Sequence, residues 1–318
     1  MTHIVMHSAP RRSTGVPSQE GPVLLATKPF NGLDAPLGVA RWLAAREERE
    51  LRVVSVLEHT DALAIAAGVP PLPIGYYDDE RVALAAQIRR ELTPFGNTGL
   101  EPKVDVVDGP SARSVVDAAK KCGARVIVVG TGKHDAIGRY IYGERALQIV
   151  GIADRPVLVV PRDVTAGSVA VAVVAVDFSP ASVRAARAVL PMLSYGGRLI
   201  LVHVKSAVSL KEDTAGWWND AYERRCADLF AQFQRQLPSI PGVTVETRFL
   251  RGEAVRTLLT YAASRNAGLI ACGRLGHTLM ERIFVGSVSS ALVRQSTVPV
   301  LVAPAMPGDL PVPQASRP

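Results

Sequence analysis

Cysteine is scarce in this 318-residue chain: Cys122, Cys226 and Cys272 stand far apart, with no paired spacing. That excludes a disulfide framework and reads as three reduced thiols in a cytoplasmic protein. Long apolar runs are missing too. None reaches the roughly 18 residues that a membrane helix needs, so no membrane partner is expected. Residues 1–20 have a basic pair, Arg11-Arg12, but no continuous apolar stretch after it, which excludes a secretory signal and predicts a flexible leader. A strong excess of one charge is absent: +7 is mild for this length and reads as a solvated surface, without a nucleic-acid partner. Aromatics make up only 5% of the chain.

Several chemical signatures are also missing. Gly130-Thr131-Gly132 lacks the third glycine of a dinucleotide fingerprint and follows a fourth strand, not a first. Gly132-Lys133-His134 is not a phosphate-binding P-loop, because no Ser or Thr follows the lysine. The six histidines, His3, His7, His59, His134, His203 and His277, form no metal-ligand spacing with Cys or carboxylates, so no metal site is expected. No Ser-His-Asp order or nucleophile elbow is found.

What is present is apolar and periodic. Hydrophobic residues are 48% of the chain, with many Ala and Val, which suits parallel strands between helices. The length predicts two domains, each with its own core. In the first, strands are expected near 21–27, 52–57, 103–107, 125–129 and 157–160, and helices near 37–49, 79–92 and 111–121. Val115, Val116 and Ala119 would face inward on the last of these. Residues 70–77 read as a proline-rich loop and 130–143 as a second loop. Residues 162–168 form a short polar linker, and the pattern restarts. Strands are expected at 169–176, 198–204, 244–250, 269–272 and 298–302, with helices at 181–193, within 211–237, at 253–265 and from 291 onward. The tail, 305–318, is proline-rich and expected to be disordered. Strands alternating with helices imply a parallel sheet in each half, joined by right-handed crossovers.

The halves repeat. Residues 108–161 fall on 251–304 without a gap, at an offset of 143. Gly109 falls on Gly252, Gly130 on Gly273, His134 on His277, Arg139 on Arg282 and Gly143 on Gly286, and the closing strands match residue for residue. That register reads as a duplication. Within the second copy, Gly273-Arg274-Leu275-Gly276, nine residues, then Gly286-Ser287-Val288-Ser289-Ser290, leads from an apolar strand into a helix. Glycines allow backbone N–H groups to approach a phosphate, and hydroxyls near a helix N-terminus add donors where the dipole favours an anion. The loop is expected to hold a nucleotide phosphate chain. Arg274 and His277, in the loop, are candidates to approach a polyphosphate, with plain solvent exposure as the alternative. His203, ending a strand, is expected to be structural. Asp177, at the carboxyl end of its strand, is a candidate to accept from ribose or adenine donors, or to cap the following helix, or both. Trp217-Trp218 opens the long helix and reads as packing, or as a contact with the other half or a partner.

The spacing Gly273-x2-Gly276-x9-Gly286-Ser287, with Val174-Ala175-Val176-Asp177-Phe178-Ser179 and Leu201-Val202-His203-Val204, resembles the universal stress protein family. The resemblance covers nearly the whole chain as two tandem domains, 21–161 and 169–304. It implies an α/β fold of two doubly wound domains, each with a five-stranded parallel sheet of order 3-2-1-4-5, and ATP as a ligand at the glycine loop. By position it implies that Ala175, Val176 and Asp177 line the nucleoside with Val204 beside the adenine. Cys272, Gly273, Gly276, Gly286, Ser287, Val288 and Ser289 would surround the ribose and phosphates. It also implies association through the apolar closing strands, between subunits as a homodimer or within this chain as a pseudo-dimer.

The first half departs from the pattern. Thr27 is aligned with Asp177, Lys133 replaces Gly276, and Glu144 replaces Ser287, which sets a carboxylate against a phosphate. One nucleotide per chain is therefore expected, in the second half. The leading expectation is an ATP-binding regulatory module of the stress response. A slow ATPase or a phosphoryl- or adenylyl-transfer enzyme with Mg²⁺ bridging the phosphates is the alternative, and a nucleotide-free interaction scaffold is the third.

Overall fold

The structure is a computed structural model, and it describes residues 21–27, 34–57, 76–92, 102–131, 143–205, 215–274 and 286–306. The side chains of 34, 76–77 and 215–221 fall outside the described set, as do the expected leader, most of the expected tail, Lys133, Gly276 and His277. In the first half the strands are β1 (Val23–Thr27), β2 (Leu51–Leu57), β3 (Lys103–Asp108), β4 (Val126–Gly130) and β5 (Val157–Val160). The helices between them are α1 (Asp34–Arg46), α2 (Tyr76–Leu92), α3 (Ser111–Lys121) and α4 (Glu144–Ile152). The second half has β6 (Val169–Ala175), β7 (Leu193–Lys205), β8 (Thr244–Arg251), β9 (Leu269–Gly273) and β10 (Val300–Ala303). Its helices are α5 (Pro180–Val189), α6 (Ala215–Arg235), α7 (Ala254–Ser264) and α8 (Ser287–Gln295).

The strands form one sheet in the order β3-β2-β1-β4-β5-β10-β9-β6-β7-β8. Each half keeps the order 3-2-1-4-5, all parallel, with the inner strands buried on both faces because helices cover both, while the outer strands β3 and β8 stay partly exposed. The two five-stranded sheets are joined: β5 and β10 pair antiparallel and make a single ten-stranded sheet. Leu158 lies opposite Leu301, Val157 opposite Val302 and Val159 opposite Val300. Under the offset of 143, Leu158 and Leu301 are each other's equivalents, so the register is that of a two-fold axis through this pair. An apolar edge left unpaired invites another strand, and here each closing strand supplies the other's partner.

Two apolar layers sandwich the sheet, and each runs across the joint. Leu25, Val128, Leu158, Val174, Ala271 and Leu301 belong to one face; Leu24, Ile127, Val159, Val173, Ile270 and Val300 belong to the other. On the first face Arg46 of α1 donates through Nε to the carbonyl of Pro191, 2.8 Å away, and through Nη2 to that of Leu193, tying the halves again. The linker joins this packing. Val164 and Ala166 lie against the core, and a Cβ on Gly38 would stand 3.2 Å from that of Ala166.

Local signals explain the ends of the elements. The helix expected to reach 193 stops at Val189, where a short 3-10 turn, Leu190–Met192, carries Pro191, which has no N–H to donate. β7 then starts at Leu193, earlier than expected. α7 begins where the Glu253 carboxylate accepts from the N–H groups of Val255 and Arg256. Val115, Val116 and Ala119 are buried on α3 as its periodicity predicts.

Candidate functional site

The carboxyl ends of β6, β7 and β9 lie side by side: Ala175 pairs with Val202, Val174 with Ala271, and Val204 lies two residues beyond Val202. Strand alternation puts Ala175, Val204 and Cys272 on the face that α7 and α8 cover, with Ala175 and Val204 partly buried there. Val176 behaves differently. Its side chain is buried in the opposite core, so it can offer a ligand on the α8 face only its main chain. That main chain is already engaged, its N–H donating to Val202 at 2.8 Å and its carbonyl accepting from His203 Nδ1 at 2.7 Å. Because a carbonyl only accepts, Nδ1 carries the proton, and Nε2 is hydrogen-bonded with the Tyr222 hydroxyl at 2.9 Å. His203 is a structural clamp, as its place at a strand end suggested.

Beyond β6 the chain turns through Phe178, held in the left-handed region at φ 63°. Its ring packs against His203, centroids 4.8 Å apart, and against Phe230 at 5.1 Å. Asp177 Oδ1 accepts from the N–H of Ser179 at 3.0 Å and from its hydroxyl at 2.6 Å. Ser179 is the residue that caps α5, its Oγ accepting from Ser182 N–H at 3.3 Å, with Pro180 following at the first helical position. Asp177 therefore orients the cap and is not the cap. Composition could have flagged Ser179, since Ser-Pro before an apolar helical run is a start signal.

The glycine loop has a defined neck, while residues 275–285 lie outside the described residues. Gly286 N–H donates to the Arg274 carbonyl at 2.8 Å, and Ser289 Oγ stands 3.0 Å from the carbonyls of both Arg274 and Gly286. A Cβ on Gly286 would fall 2.8 Å from the Arg274 oxygen, so the neck closes only around glycine. Gly273 answers a different need: a Cβ there would meet Ala181 Cβ at 2.9 Å and Ser182 N at 3.2 Å. Its bare backbone lets the end of β9 abut the first turn of α5. No side chain caps α8 at Gly286, so its opening N–H groups, those of Ser287, Val288 and Ser289, point along the helix axis with the positive end of the dipole. Ser287 is exposed, Val288 half-buried and Ser289 buried.

Arg274 is neither a free phosphate ligand nor solvent-exposed. It is 8% exposed, and its Nη1 donates to the carbonyls of Gly151 and Ala153 at 3.0 and 2.8 Å, with Val150 at 3.3 Å, at the end of α4 in the first half. Burial, and after it the neighbouring Arg184, lowers its pKa from the ordinary guanidinium value. Both expectations for this side chain give way to a contact between the halves.

The first half builds the same corner with other groups. α4 starts at Gly143, in the left-handed region at φ 80°, and its first residue, Glu144, places a carboxylate 2.8 Å from Arg294 of α8. The sheet register also corrects one equivalence. Leu25 pairs with Val128, whose repeat mate Ala271 pairs with Val174, so the first strands align at an offset of 149. Thr27 therefore matches Val176, and Lys28, outside the described residues, takes the sequence position of Asp177.

Cys272 sits under this corner. Burial, and then the nearby Asp177 carboxylate, pushes its thiol up to about 12. A thiol with so high a pKa stays protonated and unreactive at ordinary pH. Alkylation of the native chain at pH 8 is expected to label half-exposed Cys122 and to spare Cys272 and Cys226, both buried; peptide mass mapping reads this, and rapid labelling of Cys272 would refute the packing described. Among the described residues no cluster of three His, Cys, Asp or Glu could hold a metal ion, and no helix is long and apolar enough to cross a membrane. A recess of about 360 Å³ beside α7, lined by Leu250, Arg256, Thr257, Thr260, Tyr261 and Ser264, shares no residue with the corner.

A universal stress protein of Mycolicibacterium smegmatis is 29% identical over 207 residues, 64% of this chain and 69% of the relative. One from Mycobacterium tuberculosis is 27% identical over 275 residues, 82% of this chain and 89% of the relative. The crystal structure of a universal stress protein from Archaeoglobus fulgidus superposes with a TM-score of 0.62 at 20% identity, covering 89% of this chain and 96% of that one, which supports the fold. The sequence profile of the Universal stress protein family matches twice, over residues 21–161 and 171–304, and this chain is a tandem member of that family.

Proposed function

We propose that the second half binds one adenine nucleotide per chain and that the protein acts as a nucleotide-dependent regulatory module. The observation that carries this reading is the uncapped start of α8 beside a neck that only glycine can close. Backbone N–H groups at a helix N-terminus suit an anion, and the residues around them fit a phosphate chain. Ala175, Val204 and Cys272 form a small apolar floor for the nucleoside. Asp177 stands at its edge, and a carboxylate, with about four acceptor sites, suits donors of ribose or adenine. Gly276 and His277 belong to the same loop by sequence. Bound nucleotide supplies the negative charge that the N–H groups of α8 await, with Mg²⁺ accompanying the phosphates. In the first half Glu144 already occupies the equivalent position with negative charge. Three thiols without a disulfide fit a reducing, cytoplasmic compartment.

Isothermal titration of the full chain with ATP is expected to give one site, and acid extracts of the purified protein to contain adenine nucleotide. Two sites would remove the asymmetry between the halves, and no binding with no extracted nucleotide would favour a scaffold that works without ligand.

A further inference from the structure

Arg274 serves two contacts at once. Its main-chain carbonyl receives the Gly286 N–H at 2.8 Å and stands 3.0 Å from the Ser289 hydroxyl, and so fixes the neck of the second half's loop. Its guanidinium crosses to the first half and satisfies the carbonyls of Gly151 and Ala153, which the end of α4 leaves without intrahelical donors. A cation there also meets the negative end of that helix. Nη2 lies 3.5 Å from the Ala305 carbonyl, and the buried Nε has no partner in the described structure, so the first half holds this arm without saturating it. The contact has no mirror image: the repeat mate of Arg274 is Thr131, which has no such reach. The helices themselves lie head to tail across the axis. The start of α4 meets the end of α8 through Glu144 and Arg294, and the end of α4 meets Arg274 beside the start of α8.

We propose that Arg274 is a positioning residue through which the first half sets the neck of the nucleotide loop, so that occupancy of the second half is sensed at the end of α4. The proposal rests on the nucleotide reading above. Any coupling between two sites is reciprocal: if the end of α4 favours the closed neck, a ligand that favours the closed neck must in turn hold the end of α4.

Hydrogen exchange of the full chain with and without saturating ATP tests this. In the unaltered protein, amides of residues 150–153 are expected to exchange about fivefold more slowly with ATP, the lower end of ordinary coupling. Arg274→Gln is expected to bind ATP about tenfold more weakly and, at saturation, to lose the α4 response. Arg274→Lys, whose ammonium can still point at the helix end, is expected to restore part of it. ATP that protects residues 289–294 but leaves 150–153 unchanged overturns this proposal and leaves the nucleotide reading intact. An Arg274→Gln chain that melts earlier but keeps its affinity and its α4 response makes the arginine merely structural and also overturns it. Should that variant fail to fold, the exchange of the unaltered chain decides alone. Absence of ATP binding overturns both readings together.

Discussion

Replacing Ser287 with glutamate is expected to weaken ATP binding by about 100-fold or more while leaving thermal stability unchanged or slightly raised, because the two effects of the new carboxylate have opposite signs. Ser287 is exposed and opens α8, so glutamate fits there without a clash. At a helix N-terminus a carboxylate contributes about 0.3–1 kcal/mol of stability. Against a phosphate the same charge is repulsive, about 4 kcal/mol at 4 Å with an effective dielectric of 20, and it competes for the very N–H groups the phosphate needs. The substitution copies Glu144 from the first half, so it also asks whether that one change accounts for the first half's expected silence. Calorimetric titration and a melting curve on one preparation suffice. Unchanged affinity would mean that the phosphates do not lie over α8.

The second large effect concerns the joint. Leu301 and Leu158 face each other across β10 and β5, at 0% and 1% exposure, in a core layer that continues into both halves. Leu301→Ala is expected to cost about 2–5 kcal/mol, through lost transfer energy and the cavity left behind. Since a domain's whole stability is about 5–15 kcal/mol, the loss is a large fraction. It should be felt by β2 and β7 alike, because one apolar layer runs across the joint and includes residues of both strands. Pulsed hydrogen exchange along a urea gradient, read on peptides from 51–57 and 199–205, should give one shared midpoint that shifts as a unit. Separate midpoints, or a shift confined to 199–205, would show that the halves fold independently.

Much of the fold could be read from the residues because its causes are local or periodic. Runs such as Val126–Gly130 and Leu269–Gly273 are apolar enough to be strands buried on both faces, and the 143-residue offset carried one half's pattern onto the other. The pairing of β5 with β10 followed from two apolar edges in search of partners. Gly273 and Gly286 do mark close approaches, but the approaching bodies in the structure are protein: the start of α5 for Gly273 and the Arg274 carbonyl for Gly286. The place of Arg274 is hidden from the sequence for a physical reason. Its partners are main-chain carbonyls more than a hundred residues away, and a carbonyl leaves no trace in the identity of the residue that bears it. The first-strand equivalence is off by one because the gapless repeat begins only at Asp108; before it β1 aligns with β6 at 149 and β2 with β7 at 148, and a one-residue slip turns every side chain to the other face. The clamp from His203 to Tyr222 spans a strand and a helix, which no short motif reveals.

The antiparallel joint has one more consequence. In a homodimer built on an isologous contact, every residue at the interface appears twice, so a change useful to one subunit is imposed on the other. Linking the two copies covalently lifts that constraint. An arginine can reach across from one side while a threonine stands on the other, and a glutamate can close one corner while a serine leaves its counterpart open. The joined chain keeps the geometry of a symmetric pair, yet each of its corners can be set separately.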